Sequence, residues 1–222
     1  VLVLAFDTAT AAVTVALYEW IPGEGAVPRG VAEAVDRRAH TELLTPSIAR
    51  VMAEAGAVPD DLSAIAVGVG PGPYTGLRVG LVTARAMGEA LSIPVHGVCT
   101  LDIIAWATGR DEPFIVATDA RRKEVYWARY DSARARATEP AVGPPSDVPE
   151  GLPVVGEGAA LYPEALGESD HEPLLPSARA LAELTVARLA GQKVPELLPP
   201  EPLYLRRPDA KEPGPRKKVT PA

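Results

Sequence analysis

Residues 70–80 read GPGPYTGLRVG. A hydrophobic run, Ala64–Val69, leads directly into this stretch, and a helical pattern leaves it. Two glycines and two prolines in four positions stop the strand and open the helix. A strand–turn–helix junction of this kind presents backbone N–H groups to an anion or to another chain. What the protein does depends on which of these the turn serves.

The flanks set the order of elements. Val1–Phe6 reads as a buried strand. Val13, Val15 and Leu17 alternate with Thr14, Ala16 and Tyr18, the period of a two-faced strand. Pro22, Gly23, Gly25, Pro28 and Gly30 predict a long hairpin loop, after which Val31, Glu33 and Val35 resume alternation. Leu44, Ile48, Val51, Met52 and Ala55 recur at helical spacing, and Gly56 is a stop signal. A strand at 65–69, a helix at 75–91, a strand at 94–99 and a helix at 100–108 complete a β-β-β-α-β-α-β-α order. This order resembles one lobe of the actin-like (ribonuclease H-like) α/β fold. The pattern restarts near Arg110 with a hairpin (114–118, 124–130), a short strand ending at Gly156, and a helix carrying Ala178, Leu181, Ala182, Thr185 and Leu189. We therefore expect a first lobe at 1–109, a second, shortened lobe at 110–206, and a Pro-rich, basic, disordered tail at 207–222.

Composition narrows the function classes. Apolar residues make up 47% of the chain, enough for a core, yet no run approaches a membrane span. The apolar start lacks a basic leader and is interrupted by Asp7, so it reads as a strand rather than a signal peptide. Cys99 is the lone cysteine, which removes internal disulfides and Cys-based zinc sites and fits a cytoplasmic location. A net charge of −7 argues against RNA binding through a broad positive field.

Candidate chemistry starts at Asp7 in the turn DTAT (7–10). In actin-like ATPases an Asp here precedes a glycine-bearing phosphate loop; here Thr8, Ala9 and Thr10 replace the glycine, and their Cβ atoms hold a phosphate further off. Asp7, Thr10, Gly70, Gly72 and Arg121 would make up a vestigial nucleotide or anion site. A two-metal nuclease needs several converging carboxylates, and only Glu42 is a nearby partner for Asp7. A kinase needs a second phosphate loop, but Asp119–Lys123 reads DARRK without glycine. Gly156-Glu157-Gly158-Ala159 could border an adenosine, a weak signal by itself. His40, His96 and His171 make no i, i+4 metal pair, and Cys99 sits at a buried strand end. An actin-like phosphotransferase or ATPase using Asp7 is the alternative activity.

The helix after the glycine turn is the stronger feature. Arg78, Arg85 and Glu89 share one narrow face, and the remainder is apolar. Gly76, Gly80, Ala84 and Gly88 recur every fourth residue, a groove fit either for the chain's own sheet or for another subunit. The candidate partner interface is Leu44, Ile48 and Met52 on the first helix with Gly76, Val79, Gly80, Val82, Thr83 and Met87 on the second.

DTAT at 7–10, HTELLTP at 40–46, GPGPYTGLRVG at 70–80, DARRKEVYWARY at 119–130 and PLYLRRP at 202–208 together resemble the family of bacterial tRNA threonylcarbamoyladenosine biosynthesis proteins TsaB, also called YeaZ. The resemblance runs nearly the whole length of the chain. It implies a two-lobed actin-like scaffold that has lost its own catalysis. It would pair with the catalytic relative TsaD, which carries the His-x-x-x-His metal motif absent here. With the ATPase TsaE, it would support threonylcarbamoyl transfer to the adenosine beside the anticodon. It further implies a homodimer when alone, tRNA contact only through the complex, no intrinsic cofactor, and ATP or ADP and metal on the partner subunits. Residues 42–52 and 75–91 would make the contacts.

Overall fold

The computed structural model describes residues 1–36, 39–167 and 172–206. His171 and the 207–222 tail, for which disorder is expected, lie outside the described residues.

Strand β1 (Leu2–Asp7) pairs antiparallel with β2 (Ala12–Ile21), and β2 with β3 (Gly25–Val35). On its other side β1 runs parallel to β4 (Ala64–Gly68), which runs parallel to β5 (Val95–Val98). The sheet order is thus β3-β2-β1-β4-β5. The long loop expected at 22–30 is a short turn instead. Strand β3 starts at Gly25, and Pro28 and Gly30 fall where the β2–β3 register shifts, between Leu17 and Tyr18. An edge strand tolerates a proline at such a bulge because no ladder hydrogen bond is lost.

Helices α1 (His40–Glu54) and α2 (Tyr74–Leu91) cover one face of this sheet. Leu44, Ile48, Val51, Leu77, Leu81 and Ala84 pack there on Leu4, Phe6, Val15 and Val67. The second sheet has the order β10-β6-β7-β8, from β6 (Phe114–Asp119), β7 (Val125–Ser132), β8 (Ala135–Arg136) and β10 (Val154–Val155), with β9 (Ala141–Gly143) also on β7. Two short helices, α4 (Glu157–Leu161) and α5 (Pro163–Leu166), lie beside it.

Helix α3 (Thr100–Thr108) joins the two sheets. Its apolar residues point both ways: Ile103 packs with the first sheet, and Leu101, Ile104 and Ala105 with Phe114, Val116 and Tyr130 of the second. An all-round apolar helix belongs in a core, and this one fills it. Helix α6 (Ala178–Leu189) falls in the 110–206 stretch by sequence, but it packs on the first sheet, its Leu181 and Leu184 against Val3, Ala5 and Tyr18. Residues 197–206 then run along the outside. Leu198 bridges Gly97, and the Leu203 amide donates to the Val69 carbonyl at 2.8 Å. This is the actin-like two-sheet architecture with a reduced second unit. Among the described residues no helix is long and apolar enough to cross a membrane.

Candidate functional site

Asp7 ends β1 fully buried. Its Oδ1 accepts from the Ala9 amide at 2.7 Å, an Asx turn, and its Oδ2 accepts from the Thr100 hydroxyl at 2.8 Å. The Thr100 oxygen also accepts from the Gly70 amide at 3.2 Å, and the Thr100 amide donates to the Gly70 carbonyl at 2.7 Å. The carboxylate thus fastens β1 to the start of α3 and, through Thr100, to the glycine turn. Burial pushes its pKa above the usual carboxylate range, against the two hydrogen bonds that favour the charged form. Gly68 permits this packing, since a Cβ there would stand 1.7 Å from Asp7 Oδ2.

The next residues dock onto α2. The Thr8 hydroxyl donates to the Gly76 carbonyl at 2.7 Å and accepts from the Gly80 amide at 3.0 Å. Those two groups are the i and i+4 members of one helical bond, so the hydroxyl sits inside the α2 ladder. A Cβ on Gly80 would lie 2.6 Å from Thr8 Oγ1, one on Gly76 2.7 Å from the Thr8 carbonyl, and one on Gly72 2.0 Å from the Ala9 carbonyl. His40 Nε2 completes the clamp by donating to the Thr10 carbonyl at 2.7 Å. Gly72, Gly76 and Gly80 therefore admit the DTAT turn of this same chain. Sequence reasoning named these glycines and Asp7 without finding Thr8 as the partner of the glycines or Gly68 and Thr100 as the partners of Asp7. The one available signal was that Gly76, Gly80 and Ala84 share the helix face of Leu77 and Leu81.

The proposed anion-site residues are only partly brought together. Thr10 and Arg121 meet across the two sheets in a crevice also lined by Ala11, Pro73, Asp119 and Glu157, with a cavity volume of about 10 Å³. That is room for about one water. Asp7, Gly70 and Gly72 are buried and do not line it. Arg121 pairs with Asp119 at 3.4 Å, and its amide donates to Asp119 Oδ1 at 2.8 Å. Its hairpin turns through Arg121, Arg122 and Lys123 at φ of 62, 57 and 62°. Three left-handed residues without glycine cost on the order of 1 kcal/mol each. Arg206 braces the turn, donating to the Ala120 carbonyl at 3.2 Å and pairing with Glu124. The glycine turn at 156–158 is likewise filled from within: Gly156 and Gly158 press on the Ala117 backbone of β6.

Five of the candidate interface residues are core residues. Leu44, Ile48 and Met52 face the sheet, Gly76 and Gly80 receive the DTAT turn, and none presents a side chain to a partner. The reason is periodicity: the positions that repeat most regularly are those facing the chain's own sheet. Val82, 65% exposed, and the half-buried Val79, Thr83 and Met87 are the members at the surface.

One polar cluster carried no sequence signal beyond a charge within an apolar helix. Asp102 of α3 is buried, accepts from the Tyr130 hydroxyl at 2.7 Å, and pairs with Arg136 at 3.1 Å. Burial, with Asp102 alongside, pushes the Cys99 thiol far up, so it is inert. Among the described residues no three His, Cys, Asp or Glu side chains gather as a metal site.

The family model described as "TsaD: tRNA N6-adenosine threonylcarbamoyltransferase" matches residues 22–157. An uncharacterized protein of Mycobacterium leprae is 45% identical over 95% of this chain, which spans 56% of that relative's length. The tRNA threonylcarbamoyladenosine biosynthesis protein TsaB of Escherichia coli is 32% identical, covering 92% of this chain and 94% of that protein. A crystal structure from Pseudomonas aeruginosa, described as similar to peptidase YEAZ, superimposes with a TM-score of 0.76 at 31% identity, covering 92% of this chain and 99% of that one.

Proposed function

The chain belongs to the TsaB (YeaZ) family, and we propose that it is a non-catalytic subunit in the synthesis of threonylcarbamoyladenosine in tRNA. In this reading it pairs with a TsaD-like catalytic subunit through the outward faces of α1 and α2. The observation that carries it is the docking of residues 8–10 onto Gly72, α2 and His40. In an actin-like ATPase the first strand's turn cradles phosphate; here Thr8 and Ala9 lie against Gly72, Gly76 and Gly80, and the crevice beside Thr10 has room for about one water. Nucleotide and metal then reside on partner subunits, the TsaD-like protein and a TsaE-like ATPase. The same helical faces serve a homodimer when the partner is absent, and tRNA is reached through the complex, in the cytoplasm.

The alternative, a phosphotransferase or ATPase using Asp7, is disfavoured because both carboxylate oxygens are engaged within the chain. A peptidase with Cys99 as its nucleophile finds no support, because that thiol is buried.

Reconstitution of tRNA modification from purified subunits, with and without this chain, is the test. Dependence on the chain, with no nucleotide turnover by the chain alone, supports the reading. Modification at full rate in its absence, or intrinsic turnover that Asp7→Ala abolishes, overturns it. For the surface, Val82→Arg is expected to abolish co-purification with the TsaD-like subunit at unchanged melting temperature. Gly80→Arg would not test the surface, because a side chain at Gly80 would displace Thr8.

A further inference from the structure

We propose that Tyr74, Arg78 and Tyr204 form a preorganised clamp for an acidic side chain of the protein partner, an inference that rests on the α2 face being the partner surface. The Arg78 guanidinium lies 3.7 Å over the Tyr74 ring, and its Nε donates to the Tyr204 hydroxyl at 2.9 Å. The two tyrosine rings stack at 5.4 Å. All three side chains are exposed, the tyrosines at 46% and 39%, an unusual position for stacked aromatic rings. Among the described residues no acidic side chain pairs with Arg78.

Two features turn this cluster into a surface for something else. The first is its fixed geometry. Tyr204 belongs to residues 197–206, which are anchored at Gly97, Val69 and the Ala120–Glu124 hairpin. Stacking and the hydroxyl bond hold the long Arg78 side chain, so its rotamer entropy is lost before any partner arrives. The second is position. Tyr74, Arg78 and Val82 stand at i, i+4 and i+8, one stripe of α2 that continues into the exposed apolar positions. A held guanidinium flanked by tyrosines beside an apolar strip has the composition of an interface hot spot, and a carboxylate matches its fork of donors. A tRNA phosphate would match the same donors, but the apolar continuation and the chain's charge of −7 favour a protein.

The experiment measures affinity between the full chain and the TsaD-like protein of the same genome. Arg78→Gln is expected to weaken binding by about tenfold or more, and Arg78→Lys, which lacks the planar fork, to leave most of that loss in place. Tyr204→Phe, which keeps the stack and frees the guanidinium, should weaken it several-fold. Melting temperatures are expected to stay unchanged. Restoration of Arg78→Glu by a lysine at an acidic partner position would identify the carboxylate. If Val82→Arg abolishes binding while Arg78→Gln does not, the clamp is refuted and the subunit reading stands. If neither matters, the α2 face is not the interface and the clamp fails with it, while the subunit reading is decided by the reconstitution. Loss of tRNA retention by the assembled complex with undiminished partner affinity would refute the clamp in favour of a phosphate.

Discussion

Gly80→Ala should destabilise this protein, against the usual rule. In a helix interior alanine is favoured over glycine by about 1 kcal/mol. Here the added Cβ would lie 2.6 Å from the Thr8 hydroxyl oxygen, well inside contact distance. The hydroxyl must leave, forfeiting its bonds to the Gly76 carbonyl and the Gly80 amide. Those helix groups can still bond each other, so the loss comes chiefly from the displaced, buried hydroxyl and the local overpacking, together about 3 kcal/mol. The net effect is a loss of about 2 kcal/mol, a drop in melting temperature on the order of 5 °C for a chain of this length. With Thr8→Ala in place the sign reverses. The next atoms the Cβ meets, such as Val67 Cγ2 at 3.7 Å, are at ordinary contact distance. Alanine then recovers its advantage of about 1 kcal/mol. Urea unfolding of the four proteins of this cycle measures a coupling energy of about 3 kcal/mol. A stabilised Gly80→Ala single variant, or a coupling below about 0.5 kcal/mol, would refute the insertion of Thr8 into the α2 ladder.

Other perturbations test the surrounding geometry. Asp7 and Asp102 are both raised by burial, so the folded state holds protons that the unfolded chain has released above about pH 4. Stability on their account is greatest below that pH and declines as pH rises toward the folded-state values; Asp7→Asn should make the decline shallower in urea titrations, and an unchanged slope would count against the buried-acid assignment. Lys123→Gly relieves one of three left-handed residues and should raise stability by about 0.5–1 kcal/mol, read by thermal melting. Cys99 should react with a thiol reagent only at the rate of unfolding; a fast reaction in native buffer would contradict its burial.

The sequence made the first sheet and its helices readable because alternation and helical spacing run long there, and the helices at 100–108 and 178–189 fall where spacing predicted them. Strands β8 and β9 escaped because two or three residues carry no period, and Pro28 and Gly30 misled because turn residues at an edge bulge look like a loop. At the site, spacing found the glycines and could not say what approaches them. A stripe of small residues records close contact, and at Gly76 and Gly80 the contact was with Thr8, some seventy positions away. The Asp102–Tyr130–Arg136 cluster was hidden for the same reason: its members meet only after the hairpin folds onto α3.

The return of α6 and of residues 197–203 to the first sheet has a consequence for biosynthesis. On the ribosome, β1 to β5 can pair early, but Val3, Ala5, Ala16 and Tyr18 lack their main cover until residues 178–186 arrive. The nascent chain must therefore carry a half-covered sheet through the translation of the whole hairpin region. During that interval it is a natural client for a holdase, and slow codons after residue 110 would lengthen its exposure.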